Sequence, residues 1–117
     1  MQVKSYKELE VWNKGIEMVE SIYRITKNFP QEERFVLVVQ MRRAASSIPT
    51  NIAEGFRRKH NKEFSQFLHI SLGSCAELET QLIISSRLGY MSEEDTNTLL
   101  DQIDHIGRML TNFLKKL

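Results

Sequence analysis

Gln40-Met41-Arg42-Arg43-Ala44-Ala45-Ser46-Ser47-Ile48-Pro49-Thr50-Asn51-Ile52-Ala53-Glu54-Gly55-Phe56 decides how the chain folds. Val38, Met41, Ala45, Ile48, Ile52 and Phe56 recur at steps of three and four, the spacing of one helix face. The line runs straight through Pro49. An interior proline removes one backbone hydrogen bond and crowds the carbonyl four residues back. A helix keeps it only where packing forces the geometry or something uses the bend. The spacing therefore predicts a helix over about Gln31 to Arg58, kinked at Pro49. Pro30 suits its first turn, and Glu32 and Glu33 suit the positive end of its dipole. Phe35 to Val39 is rich enough in β-branched residues to suggest a strand, but the helical spacing continues well beyond it. Ser46 and Ser47 are expected to help satisfy the backbone freed by the proline. Ala44, Ala45, Ala53 and Gly55 are small, so a neighbouring helix can approach closely.

Working outward, three more amphipathic segments appear. The first, about Lys7 to Lys27, carries two apolar stripes. Leu9, Trp12, Ile16, Val19, Tyr23 and Thr26 form one; Val11, Met18, Ile22, Ile25 and Phe29 form the other, with Gly15 filling a step. Glu10–Lys14 and Glu20–Arg24 have the favourable spacing for helical ion pairs. Phe29-Pro30 ends the segment. The third segment, about Lys62 to Leu88, has Asn61 as its expected N-cap. Its core line is Phe64, Phe67 or Leu68, Ser71, Cys75, Leu78, Leu82 and Leu88, and Gly89 is its stop. Ser92-Glu93-Glu94-Asp95 opens the fourth, a capping serine followed by acids. Leu99, Ile103, Ile106, Leu110, Phe113 and Leu117 continue it. Short connections make successive helices antiparallel neighbours. The expected product is an all-α, up-down-up-down four-helix bundle, one domain over residues 1–117.

The totals set the class. A chain of 117 residues with 41% hydrophobic and 26% charged residues is ordinary for one globular domain. The single cysteine, Cys75, fits a reducing cytosol and reads as a small buried hydrophobe. Lys4, Lys7 and Glu8 interrupt any secretory signal. No apolar run approaches the roughly 20 residues needed to span a bilayer. A cytoplasmic protein without a membrane partner is expected.

Catalytic patterns are missing. No Glu-x-x-His pair, His-x-x-x-His pair, phosphate-binding glycine loop or nucleophile elbow occurs, and one cysteine cannot build a thiolate zinc site. His60, His69 and His105 are scattered; Asp101 and His105 stand four apart, as in a surface hydrogen bond. Glu77 and Glu79 lie near Ser74, and Glu77 is expected to pair with Arg42 or Arg43, or to serve a subunit contact. No second group makes it an acid or base. The reading is a non-enzyme with no metal and no cofactor.

Local charge is more informative. From Arg42 to Lys62 there are six basic residues and one acid, a local +5 in a chain of formal net charge +1. Arg42, Arg43, Arg57, Arg58, Lys59 and Lys62 are therefore the candidate nucleic-acid-binding residues, because several cations on one face grip phosphates without regard to sequence. The same residues equally describe a solvated helix end. Phe56 and Phe64 flank the turn; they suit base stacking and, better, a hydrophobic clasp between helices. The two stripes of the first segment exceed what one core face needs. Val11, Met18, Ile22 and Ile25 are accordingly the candidate oligomer interface, buried between unlike faces of a closed ring.

Leu9-Glu10-Val11-Trp12, Phe29-Pro30-Gln31-Glu32-Glu33, Gln40 to Pro49, Asn51-Ile52-Ala53-Glu54-Gly55, Gly73-Ser74-Cys75-Ala76-Glu77-Leu78 and Leu88-Gly89-Tyr90 together resemble one family. It is that of the four-helix-bundle proteins encoded in intervening sequences of bacterial 23S ribosomal RNA genes, also called S23 ribosomal proteins. The resemblance covers nearly the whole chain. It implies an antiparallel bundle assembled as a homopentamer. Related accessory proteins of diversity-generating retroelements form basic pentameric barrels that bind nucleic acid, which implies RNA or DNA as partner and the six basic residues above as the contact. The alternative is an oligomeric scaffold or accessory protein that docks a protein partner without binding nucleic acid. Near-neutral total charge departs from the strongly basic character of a dedicated nucleic-acid barrel.

Overall fold

The computed structural model describes residues 2–117. Four helices carry the fold: α1 (Glu10–Thr26), α2 (Leu37–Arg57), α3 (Asn61–Arg87) and α4 (Glu93–Leu114). Short 3-10 turns at Tyr6–Glu8 and Gln31–Glu33 precede α1 and α2. Contacts run in opposite register along each neighbouring pair. Gly15 meets Pro49 and Thr26 meets Arg42. Ile48 meets Ser71 and Met41 meets Ser85. Gly107 faces Leu72, and Phe64 packs on Phe113. Met18 lies by Ile106 and Ile25 by Leu99, so α4 also runs antiparallel to α1. The bundle is 45 Å long and 24 by 19 Å across.

Pro49 is buried inside α2, which continues on both sides of it. Its ring faces Gly15: a Cβ added there would sit 3.2 Å from Pro49 Cβ and 3.3 Å from its Cδ. A side chain there would make the ring or α1 give by a few tenths of an ångström, so glycine favours this close approach. On the other side of α2, serines of α3 replace larger residues. Ser71 Oγ donates to the Ile48 carbonyl at 2.9 Å, and Ser74 Oγ donates to Ser47 Oγ at 2.8 Å. Asn51 Nδ2 also donates to Ser47 Oγ, at 2.9 Å. The Ser47 hydroxyl thus ties α2 to α3, a different use from the expected repair of the proline's backbone. At Gly55 a Cβ would lie 2.6 Å from Phe67 Cβ, so α3 crosses there in near contact.

Several boundaries differ from the sequence reading. The second helix begins at Leu37, not Gln31. Pro30 to Glu33 forms a separate turn, pinned by Tyr90 Oη donating to Glu33 Oε2 at 2.8 Å. That bond to a carboxylate raises the Tyr90 phenol above its ordinary value. Phe35 and Val36 then point to solvent, 82% and 55% exposed, and Val36 leaves helical geometry. Only from Leu37 and Val38 does the chain bury side chains again. The cap of α3 is His60, without a side-chain bond, because Asn61 is already helical. The expected stops are found at the other end of α3. Gly89 adopts φ 81, Tyr90 N–H reaches Ser85 O and Gly89 N–H reaches Ser86 O, a Schellman closure. Ser92 Oγ accepts from Asp95 N–H at 3.0 Å, as a capping serine should. Lys14 pairs with Glu17 at 3.7 Å, in place of the expected Glu10.

The first helix brings the main correction. Val11, Met18 and Ile22 are 3%, 2% and 0% exposed within their own chain. They are core residues and cannot form a contact between copies. Ile25 is half-buried against the same core. The stripe turned partly outward is the other one, Trp12, Ile16, Val19 and Tyr23. Both stripes were legible as apolar; which one the bundle claims depends on where α2 and α4 dock. Placing a carboxylate at Met18 should therefore unfold the subunit rather than dissociate an assembly. Circular dichroism of Met18→Glu should show lost helicity, and a helical, merely smaller species would contradict this placement.

Cys75 is buried, and burial, followed by the charge of Glu79, pushes its thiol from 9.0 up to about 12. The thiolate is the reactive form, so Cys75 should resist iodoacetamide at pH 8 while the protein is native and react once urea unfolds it. The native thiol keeps its proton where the unfolded one loses it. This contribution to stability is thus present below pH 9 and is lost as pH rises toward 12.

Candidate nucleic-acid interface

Antiparallel packing sends the start of α1, the end of α2, the start of α3 and the end of α4 to one end of the bundle. Aromatic rings join them there. Trp12 tilts onto Tyr6 with centroids 5.3 Å apart, and Tyr6 meets Phe56 at 6.5 Å. Phe56 meets Phe64 edge-on at 5.9 Å, and Phe64 meets Phe113 at 5.3 Å. Pairs of this kind contribute about 0.5–1.5 kcal/mol each beyond their buried area. Phe56 and Phe64 are thus the interhelical clasp, and they are not free for stacking on bases. The N-terminal turn that delivers Tyr6 is fixed by a capping box. Ser5 Oγ accepts from Lys7 N–H, and Glu8 Oε2 accepts from Ser5 N–H at 3.0 Å. Asn13 Nδ2 adds a bond to the Lys7 carbonyl at 2.9 Å.

The cations follow the same geometry. Arg57, Arg58, Lys59 and Lys62 are exposed at this end. Arg58 is partly spoken for: it reaches Glu54 at 3.4 Å and Glu63 at 3.8 Å, with its guanidinium 5.1 Å from the Phe67 ring centre. Among the described residues no carboxylate comes within 4.0 Å of Arg57, Lys59 or Lys62. The fold adds Lys4 and Lys7 from the N-terminal turn and Lys115 and Lys116 from the end of α4, all exposed. Eight basic residues stand at this end against four acids, Glu8, Glu10, Glu54 and Glu63. The opposite end carries both signs, with Arg24, Lys27, Arg34 and Arg87 beside Glu32, Glu33, Glu93, Glu94 and Asp95, so the near-neutral total conceals a local excess of cations at one end.

Arg42 and Arg43 do not join this cluster. They lie fifteen and fourteen residues before Arg57 along α2, roughly 22 Å at about 1.5 Å per residue. Arg42 turns toward α1, where Nε donates to Thr26 Oγ1 at 3.0 Å and the guanidinium covers Tyr23 at 4.4 Å. Arg43 is exposed on α2. Neither pairs with Glu77, whose carboxylate instead accepts from Gln81 Nε2 at 3.4 Å. Lys4, Lys7, Lys115 and Lys116 escape a sequence reading because they are remote in the chain from Arg57. The signals that place them are the Ser5-Tyr6-Lys7-Glu8 capping pattern and the antiparallel topology.

Lys59 holds a further clue. It adopts φ 62, the left-handed region just past the end of α2, where glycine is usual. An L-residue there costs roughly 1–2 kcal/mol, and the cation stands in a place that favours its absence. Among the described residues no group of three or more His, Cys, Asp or Glu side chains is arranged to hold a metal ion. Nor, among the described residues, is any helix long and apolar enough to cross a membrane.

A sequence model of the family described as 23S rRNA-intervening sequence protein matches residues 7–112. The bundle superposes with a TM-score of 0.81 on a crystal structure of a protein with unknown function from the S23 ribosomal protein family of Bacteroides thetaiotaomicron VPI-5482. The two share 26% sequence identity, over 90% of this chain and 98% of that one. No curated protein sequence matches the chain significantly.

Lys59→Gly should raise stability by about 1 kcal/mol in urea titration while weakening retention of RNA. Stability and binding moving together in the same direction would deny Lys59 a role as a contact held in place at a cost.

Proposed function

The chain belongs to the 23S rRNA-intervening sequence protein family, and from that premise we propose that it is a non-enzymatic, oligomeric, cytoplasmic bundle that binds nucleic acid, RNA foremost, at its cationic end. The observation that carries this reading is the convergence of four separate segments on that end: Lys4 and Lys7, Arg57 and Lys59, Lys62, and Lys115 and Lys116. These cations have no carboxylate partner within 4.0 Å among the described residues and outnumber what the two helix C-termini there call for, whereas phosphates would release counterions from each contact. Arg58 contributes less, being shared with Glu54 and Glu63. Arg43 lies far from the contact and Arg42 is bound to α1.

Assembly multiplies this end. The pentamer implied by the family resemblance finds support on α3. Phe67, Ile70, Ser74, Glu77, Gln81, Ile84 and Leu88 follow heptad spacing. Ile70, Ile84 and Leu88 are 50%, 43% and 55% exposed. A facing copy would cover these exposed apolar residues. The same ridge, with Phe35 and Val36 exposed near the start of α2, favours a second reading, an accessory protein whose ridge docks a different protein.

Arg57→Glu with Lys59→Glu and Lys62→Glu should abolish RNA retention without loss of helicity. Arg43→Glu should leave it nearly intact. With about four phosphate contacts, wild-type affinity for single strands should fall roughly fifty-fold between 50 and 200 mM salt. Binding unmoved by the triple reversal or by salt would refute the reading. Ile84→Glu with Leu88→Glu should reduce the mass seen by light scattering while helicity persists; an unchanged mass would remove α3 as the assembly face.

A further inference from the structure

Beside the cations, α1, α2 and the N-terminal turn border an open groove of about 460 Å³ lined by Tyr6, Trp12, Ile16, Pro49, Ala53 and Arg57. This is within the roughly 300–1,000 Å³ range of small-molecule sites. Its aromatic wall is not closed. Trp12 and Tyr6 are both only half-buried, although the clasp at Phe56 and Phe64 is already complete without the outer face of Trp12. Its floor is Pro49, brought near α1 by Gly15. At its rim Arg57 stands 5.8 Å from the Tyr6 ring centre and has no carboxylate within 4.0 Å among the described residues. The one acid of the groove, Glu54, is engaged by Arg58 at 3.4 Å.

We propose that this groove is a stacking site for one unpaired base of a single-stranded nucleic acid, with the indole of Trp12 as the platform and Arg57 on the adjoining phosphate. The inference rests on the reading of the cationic end as a backbone contact, and adds to it a preference for unpaired over paired strands. Charge decides the occupant. A purely apolar guest, such as a leucine of another copy, would leave Arg57 facing it without a partner. A base linked to a phosphate satisfies both halves of the groove. Stacking on an aromatic ring tolerates any base, so the site selects strandedness and not sequence. Ribose and deoxyribose differ little for such a platform, so RNA and DNA single strands share the chemistry. The N-terminal capping box and Asn13 hold Tyr6 in place before binding, which lowers the ordering cost.

Trp12 is the only tryptophan, so the groove reports on itself. The assembled protein is titrated with uridine and thymidine ten-mers, an abasic ten-mer with the same phosphates, and a blunt duplex. Both single strands should quench Trp12 emission. The abasic strand and the duplex should bind about tenfold more weakly, without quenching. A difference between the ribose and deoxyribose strands would show which the site prefers. Measured by anisotropy of labelled strands, Trp12→Phe should keep most of the affinity. Trp12→Ala, and Ala53→Leu, which fills the groove from α2 with Trp12 still present, should both lose about tenfold. Equal binding of base-bearing and abasic strands without quenching overturns the stacking site and leaves the backbone contact standing. Failure of every strand to bind overturns both. Trp12 emission that shifts with protein concentration alone, with no response to strands, assigns the groove to a neighbouring copy and overturns the proposal.

Discussion

The ring of Pro49 against the bare backbone of Gly15 is the constraint on which the arrangement rests. A proline inside a long helix forfeits a hydrogen bond, so its retention needs a reason. Here the ring stands 3.2–3.3 Å from where a Cβ at position 15 would be, closer than a side chain sits without some shift. α1 is thereby held close along the middle of α2. The serines at 71, 74 and 85 do the same for α3 from the other side: Ser71 and Ser74 hydrogen bond to Ile48 and Ser47, and Ser85, whose proton goes to the Gln81 carbonyl, lies 3.5 Å from the Met41 sulfur. α2 becomes the central element, packed by two neighbours through small residues.

Close packing at the middle determines what happens at the end. With α1 pressed on Pro49, the turn before it falls beside the last turn of α2, and Tyr6 reaches both Trp12 and Phe56. The aromatic chain then continues to Phe64 and Phe113, tying all four helices where their charged termini converge. Helix dipoles contribute in opposite senses. The ends of α2 and α4 favour the cations, while the starts of α1 and α3 favour Glu10 and Glu63. The cations exceed what the two helix C-termini require, and that surplus is the basis for assigning the end to a polyanion.

The bundle, its stop at Gly89 and its start at Ser92 were legible because each rests on local spacing or a local cap. The start of α2 was not, because Phe35 and Val36 fit the apolar pattern, while the separate turn at Gln31–Glu33 and the non-helical backbone of Val36 leave both facing solvent. The division of labour between the two stripes of α1 was equally hidden. Val11, Met18 and Ile22 look no different in sequence from Trp12, Ile16 and Val19, yet the first set is core and the second borders a groove. For the candidate site, Arg57, Arg58, Lys59 and Lys62 were found because they are neighbours in the chain. Arg42 and Arg43 were grouped with them by sequence proximity alone, across a helix too long to keep them together. Lys4, Lys7, Lys115 and Lys116 belong to the same end through topology, which no linear charge count detects.

The claim that one end of the bundle, built from four segments, faces nucleic acid can be tested directly by photo-crosslinking. A single-stranded RNA bearing photoreactive bases, crosslinked to the assembled protein and mapped by mass spectrometry, should label peptides around Lys4 to Trp12, Arg57 to Lys62 and Lys115 to Lys116 together. Labelling confined to Lys27, Arg34, Arg42 and Arg43, at the far end, would contradict the account.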